Sequence, residues 1–326
     1  MPLKDYYKNV IIEMENGIRH TNKGTKYSKG SINAFKQTLN QLIYYQESIG
    51  YELGFDDIDM SFYHNYTKYL EDKQYTLNSI GKCISALKTI LHYAECDGVN
   101  KNTKYKDKRF KARSIDIDSV YLTQNELNRI VNLDLSIYNN KLYEYVRDIF
   151  IVGVWTAQRV SDYNNISPNF IKHKKVNYLQ NGNITTKEYD VIELTQQKTK
   201  TKVSIPISSQ LLEILKKYNY KLPRVRAITI NKYIKKIAKL AGIDEVVNIS
   251  KIVGGIYTKR SIPKYELIYT HTARRTGATL MYLAGMDIYD IMKITGHSSP
   301  TMLKKYIKAD SLDIAGKIVS QYNYFQ

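Results

Sequence analysis

The feature that most constrains this chain is an apolar stripe repeated through its first hundred residues. In residues 76–97, Leu77, Ile80, Ile84, Leu87, Ile90 and Leu91 recur at three- and four-residue spacing. That period puts them on one face of a helix. Residues 28–50 repeat it with Ile32, Phe35, Leu39, Leu42 and Ile43, and Gly50 stands near a C-cap position. Residues 59–72 read the same way. The first hundred residues are therefore expected to form an all-helical bundle.

The stripe stops at KNTKYKDKRFKAR, residues 101–113, which holds seven basic residues, one acid and no apolar period. This stretch reads as a linker. Its charges are either simply solvated or a strap that neutralises phosphates. Beyond it the pattern becomes mixed. Thr123 and Glu126 form a capping-box signature, and residues 141–156 continue helically. Strand-like runs at 186–194 and 202–207 flank QQKTKT, a hairpin signal. Helices are expected at 208–218, 229–241, 271–284 and 287–295. A short one follows Pro300, with Ser298 or Ser299 as N-cap.

Charge narrows the partner. The net charge of the 326 residues is +18, more than solubility requires, and it points to a polyanion, most often nucleic acid. Residues 1–117 carry 18 basic against 14 acidic residues, and 118–326 carry 31 against 17. Cys83 and Cys96 have no partners at metal-ligand spacing and read as thiols in a reducing compartment. No carboxylate cluster suits Mg²⁺. No signal peptide and no apolar run of membrane-spanning length is visible. Thirty tyrosines lower the weight of any single one.

Four stretches hold groups that could carry chemistry. In TAQRVSD, Arg159 and Asp162 share a face if helical, which a local ion pair would also explain. In QKTKTKVSIPI, Lys198 lies near the hairpin tip, with Lys200 and Lys202 as neighbours. In HTARRTGAT, His271 and Arg274 point one way from the start of a helix, where phosphate oxygens are well received. Arg275 points elsewhere. In TGHSSPTMLKKYIKAD, Tyr306 follows His297 by nine positions and sits among lysines. His173 lies outside these stretches.

The order R…K…HxxR…H…Y resembles that of the tyrosine recombinase, or phage integrase, family. The resemblance carries over Arg159, Lys198, His271, Arg274, His297 and Tyr306, and covers residues 118–310. Its style is that of integrases of bacterial phages and conjugative transposons. Two departures stand out. Ala157 replaces the glycine of the usual TGxR, and Gly277 stands where a larger residue is common.

The resemblance implies a mainly α fold with a small β-sheet. Residues 1–105 would be a helical core-binding (SAM-like) domain, 106–117 a basic linker and 118–326 a mixed α/β catalytic domain, closing on DNA as a C-shaped clamp. It implies a site-specific recombinase with Tyr306 as nucleophile, two guanidiniums stabilising the phosphoryl charge in place of metal, Lys198 as acid, His271 as acid/base and His297 bonding the phosphate. No cofactor or metal is expected. Lys104, Lys106, Lys108, Arg109, Lys111, Arg113, Lys200 and Arg275 are the expected further DNA contacts. The expected partners are double-stranded DNA attachment sites, three further copies in a homo-tetramer and accessory DNA-bending proteins, with no membrane, in a bacterial cytoplasm at the nucleoid. The tail SLDIAGKIVSQYNYFQ would pack on its own domain or on a neighbouring protomer. A type IB topoisomerase or a non-catalytic DNA-binding protein are the alternatives.

Overall fold

The structure, a computed structural model, describes residues 1–138, 140–180 and 183–321. It is mainly helical with two small sheets. The chain divides into two compact units, Met1–Asp118 with Ser250–Arg260, and Ser119–Ile249 with Ser261–Gln326.

The first unit contains four helices. They are α1 (Leu3–Asn16), α2 (Lys29–Ile49), α3 (Met60–Asp72) and α4 (Leu77–Cys96). Side-chain oxygens of Ser28, Asp59 and Thr76 cap the last three, each accepting from an otherwise orphaned amide. The striped residues Ile80, Ile84, Leu87, Ile90 and Leu91 are buried against Leu42, Phe62, Tyr66 and Leu70. The apolar period of α1 was not picked out in advance, yet Leu3, Tyr7, Val10 and Met14 are as buried as any of these.

Residues 101–117 are not a free strand. Tyr105 and Phe110 are buried in the helical core. Tyr63 Oη donates to the Lys111 carbonyl at 2.9 Å, and Lys88 Nζ to the Phe110 carbonyl at 2.8 Å. Asn78 pairs with both backbone groups of Ile115, as a strand neighbour would. The period test misses this packing because two anchoring aromatics in thirteen residues make no repeat. Several of the cations are also spoken for. Lys106 pairs with Glu95 and Arg109 with Asp107.

The second unit starts with α5 (Gln124–Val131), opened by the expected capping box, and α6 (Lys141–Thr156). The one-turn α7 (Val160–Tyr163) leads into β1 (Ile171–Gln180), β2 (Asn183–Thr195) and β3 (Lys202–Pro206), an antiparallel sheet in the order β1-β2-β3. Its inner face, Ile192, Leu194, Val203 and Ile205, is buried on the core. Then follow α8 (Ser209–Lys217) and α9 (Ala227–Leu240), the hairpin β4 (Val246–Val253) and β5 (Ile256–Pro263), whose Ser250–Arg260 portion belongs to the first unit, and α10 (Thr270–Leu283), α11 (Ile288–Thr295), α12 (Pro300–Lys304) and α13 (Ser311–Gln321). β1 and the β4–β5 hairpin were not expected. β1 and β5 are mostly exposed, and β4 clusters most of its apolar residues at its two ends, so none shows the alternation that marks a half-buried strand.

Helices α6 and α10 form the centre of this unit. They approach so closely that a methyl group on Gly277 would lie 2.1 Å from the Val154 carbonyl oxygen, and one on Gly153 would strike the Tyr163 ring at 2.7 Å. The tail helix α13 packs on its own unit through Asp313, which accepts from Tyr121 Oη at 2.6 Å, and Lys317, which lies over the Tyr282 ring. Its Leu312 is 80% exposed. The last residues of the tail, 322–326, lie outside the described residues.

A methyl on Gly81 would sit 2.1 Å from the Arg113 carbonyl oxygen. Gly81→Ala should therefore lift residues 107–117 off α4 at a cost of about 1–3 kcal/mol. Limited proteolysis should then cut this segment in the variant before any helix, and the native protein should resist.

Candidate active site

The loop after α6 sets the first cation. Ala157 ends α6 at φ +50°, a left-handed conformation that glycine adopts more easily. It turns the chain so that Arg159 becomes the N-cap residue of α7. Arg159 is half-buried, and its Nη1 donates to Gln196 Oε1 at 3.1 Å. The alternative of a local ion pair with Asp162 is not what the structure holds. Asp162 is buried, and its Oδ1 accepts the Gln197 backbone N–H at 2.8 Å, while Oδ2 has no partner. It fastens the β2–β3 turn.

Helix α10 supplies the next two groups. His271 is exposed in its first turn, and Arg274, one turn on, is fully buried. The Arg274 guanidinium donates from Nη1 to the Ala157 carbonyl at 3.0 Å and from Nη2 to His297 Nε2 at 3.1 Å, and its Nε has no partner. Asp162 acts on it only through space. Burial and neighbouring Arg159 push its pKa down to about 10, so it remains a cation at neutral pH. The two departures from the family pattern meet here. The Ala157 methyl lies 3.0 Å from where a Gly277 side chain would begin. A methyl added at one position is matched by its absence at the other.

His297 follows Gly296, which ends α11 in the left-handed region. The His297 ring is almost buried. Since Nε2 accepts from Arg274, the proton belongs on Nδ1, which donates to Thr295 Oγ1 at 2.7 Å; that hydroxyl donates onward to the Ile291 carbonyl. Burial first, then Arg274 and Arg159, hold its pKa down to about 3. His271 is lowered to about 4 by desolvation and then by Arg275, Arg274, Arg159 and Lys198. Both rings are neutral in the free protein at pH 7.

Tyr306 lies just beyond α12, which Ser299 caps. Thr279 of α10 fixes this segment, its hydroxyl donating to the Tyr306 carbonyl at 3.4 Å and accepting the Lys308 N–H at 3.0 Å. The Tyr306 ring is 4.6 Å from the His297 ring and 6.4 Å from the His271 ring, with the Arg274 guanidinium 5.3 Å from its centre. Four of the six expected residues thus meet at one point, and Arg159 is close enough for its charge to act on Arg274, His271 and His297. Lys198 is exposed on the β2–β3 turn, close enough for its charge to act on His271. Lys200, at φ +58°, closes that turn. Arg275 stacks over Tyr269 and donates to its hydroxyl at 2.8 Å. His173 pairs with Asp190 out on β1. No group of three His, Cys, Asp or Glu side chains fit to hold a metal occurs among the described residues.

Two residues in the site were missed. Gln158 and Gln196 are fully buried and bonded to each other behind Arg159. The only sequence signal was that both glutamines stand inside quoted stretches, Gln158 in TAQRVSD and Gln196 in QQKTKT, which is weak.

A family model described as the phage integrase family matches residues 120–312, and one described as a phage integrase SAM-like domain matches residues 3–112. The chain belongs to the phage integrase family, the tyrosine recombinases. Solved integrases share its fold. A lambda integrase dimer bound to a core site aligns at a TM-score of 0.66 with 15% identity, covering 94% of this chain and 95% of that one. The Tn1549 transposon integrase, in complex with a circular intermediate DNA, aligns at 0.65 with 14% identity, covering 99% and 100%. A lambda integrase tetramer bound to a Holliday junction aligns at 0.66 with 16% identity, covering 94% and 78%. The search of curated proteins found no match.

The depressed pKa of His297 has a stability consequence. An unfolded histidine titrates near 6.5. Below that pH the unfolded chain takes up a proton that the folded site refuses until about pH 3. Stability is therefore lost as pH falls from about 6.5. The melting temperature of the integrase should drop between pH 6.5 and 4, and that of His297→Gln should drop less over the same range.

Proposed function

We propose that this integrase cuts and rejoins DNA at specific sites through a 3′-phosphotyrosyl link at Tyr306, for integration and excision of a mobile element. The observation that carries this reading is the convergence of His271, Arg274 and His297 on the Tyr306 ring, with Arg159 near enough for its charge to act on all three and neutral partners around both guanidiniums. A phosphodiester under attack gathers negative charge on its non-bridging oxygens. Two guanidiniums supply fixed bidentate donors for it.

Tyr306 Oη attacks phosphorus, its proton passing to His271, which is neutral and able to accept it. The bond to the 5′ oxygen breaks, and Lys198 protonates that leaving group. His297 holds Arg274. Its Nε2 lone pair is engaged in the free protein, so bonding a phosphate oxygen requires a second ring proton, which an incoming anion favours. The link keeps the bond energy, and a 5′ hydroxyl from a partner strand reverses the step. No nucleotide cofactor is needed for this cycle.

Recombination between two sites calls for four copies, and the tetramer and core-site complexes of lambda integrase support that assembly. The exposed Leu312 on α13 gives such a neighbour a place to dock. Accessory bending proteins and work at the bacterial nucleoid belong to the same reading. Among the described residues, no helix is long and apolar enough to cross a membrane.

DNA carrying the element's ends, nicked to trap the intermediate, tests the proposal in EDTA. A protein–DNA adduct on denaturing gels is expected, absent with Tyr306→Phe. Site-bound protein without an adduct would move the reading to DNA binding alone.

The packed basic segment makes a graded prediction for DNA affinity. Lys108, Lys111 and Arg113, with Lys88 and His92 beside the first two, border an open groove of about 590 Å³ or lie next to it. Replacing any of the three by Gln should reduce the slope of log K against log salt by about 0.9. Lys106→Gln and Arg109→Gln should change it less, since Glu95 and Asp107 already hold those charges.

A further inference from the structure

We propose that Gln196 is a positioning residue that locks Arg159 and the turn bearing Lys198 into one unit, with Gln158 as its support. The proposal rests on the recombinase reading above and goes beyond the six residues which that reading uses.

The Gln196 amide has no spare capacity. Its Oε1 accepts from Arg159 Nη1 at 3.1 Å and from Thr199 Oγ1 at 2.6 Å. Its Nε2 donates to Gln158 Oε1 at 2.6 Å and to the Thr295 carbonyl at 2.8 Å. Two acceptor and two donor bonds are all that an amide offers. Its backbone closes the turn as well, donating to the Thr201 carbonyl and accepting from the Lys200 N–H. Gln158 is held just as firmly, its Nε2 donating to the carbonyls of Thr156 and Ile294. Both side chains are fully buried.

These bonds tie together three separate pieces of chain: the end of α6, the β2–β3 turn and the end of α11. The fit leaves no slack. A methyl on Gly296 would lie 2.6 Å from Gln196 Nε2, so glycine is required there by the amide as well as by its positive φ. Arg159 and Lys198 are the two groups of the site that need such help. Arg159 is only half-buried, and Lys198 is exposed on a turn. A single amide oxygen bonds the guanidinium and the hydroxyl of Thr199, the residue after Lys198. Movement of either is felt by the other.

The neutrality of this amide matters. A carboxylate in the same place would bind Arg159 more strongly than an amide does. It would also compete with a DNA phosphate for that cation. Phosphate binding and protonation of the leaving group would thus be set together by a group that carries no charge itself.

The test compares two forms of the nicked substrate, one with the natural 5′ bridging oxygen and one with sulfur in its place. A thiolate leaves without a proton, so the sulfur form reports on phosphate stabilisation and not on the acid. Lys198→Ala calibrates the difference. Gln196→Met should cleave the oxygen substrate about a hundredfold more slowly or worse, and sulfur should recover part of that loss. Thr199→Val, on the exposed turn, removes one hydroxyl bond and should lose rate only on oxygen. Gln196→Glu should be slower than wild type on both substrates. Equal losses on both substrates for Gln196→Met, or a Thr199→Val that matches wild type on both, would overturn the coupling. Should Gln196→Met fail to fold, Thr199→Val alone decides. If wild-type protein forms no adduct with either substrate, the recombinase reading fails instead.

Discussion

A fully buried guanidinium with no carboxylate partner governs this structure. Taking Arg274 out of water costs several kcal/mol, and only a carbonyl, a neutral imidazole and the tyrosine ring receive it. A carboxylate would settle the charge more cheaply, but on the proposed reading it would occupy the position of the phosphate. The surrounding elements are arranged to keep Arg274 in place without neutralising it. Ala157 offers its carbonyl because α6 ends there in the left-handed region. His297 offers Nε2 because Thr295 takes the proton on the other nitrogen. The remaining nitrogen, Nε, is left without a partner.

That arrangement depends on how near α10 lies to α6. The backbone of α10 reaches the Val154 carbonyl only because residue 277 has no side chain, and Gly153 leaves room for Tyr163 and Ala273. Small residues at the crossing let two helices approach more closely than Leu or Ile would. The Arg274 side chain can then span the gap to Ala157. Thr276 and Thr279, on the same helix, use this proximity too. Thr276 accepts the Leu122 N–H, and Thr279 ties down the segment of Tyr306. One helix thus sets the cation, the segment of Tyr306 and the entry of the chain into the second unit.

The parts legible in the sequence were those written locally. The stripe of α4 and the capping box at Thr123 depend on residues a few positions apart, and the helices stand where that spacing put them. The order of Arg159, His271, Arg274, His297 and Tyr306 was legible because each stands in a short motif. The bonds that make a site of them were not. Gln196 meets Gln158 across 38 positions and Thr295 across 99, and no local pattern marks such a pair. The basic segment near Tyr105 and Phe110 hid its packing for a related reason. Its charges dominate the composition, while two aromatics and a backbone lying on Gly81 hold it down. β1 was hidden by being mostly solvent-facing, so that nothing apolar alternated along it.

The charges of the free site are in mutual conflict, and on the proposed reading that conflict suits the site to a phosphate. Arg159 and Arg274 repel one another, and both keep the two histidines from ionising. On the proposed reading, a phosphate placed between the guanidiniums would relieve the repulsion and restore the basicity of His271 and His297. Each change favours binding of the charged group over the empty site, and each grows as the phosphorus acquires more negative charge. The transition state gains most from a pocket whose donors are already fixed and mutually unfavourable without it. Substitutions that calm the free site, by adding an acid beside either arginine, would raise folding stability and remove the same energy from the reaction.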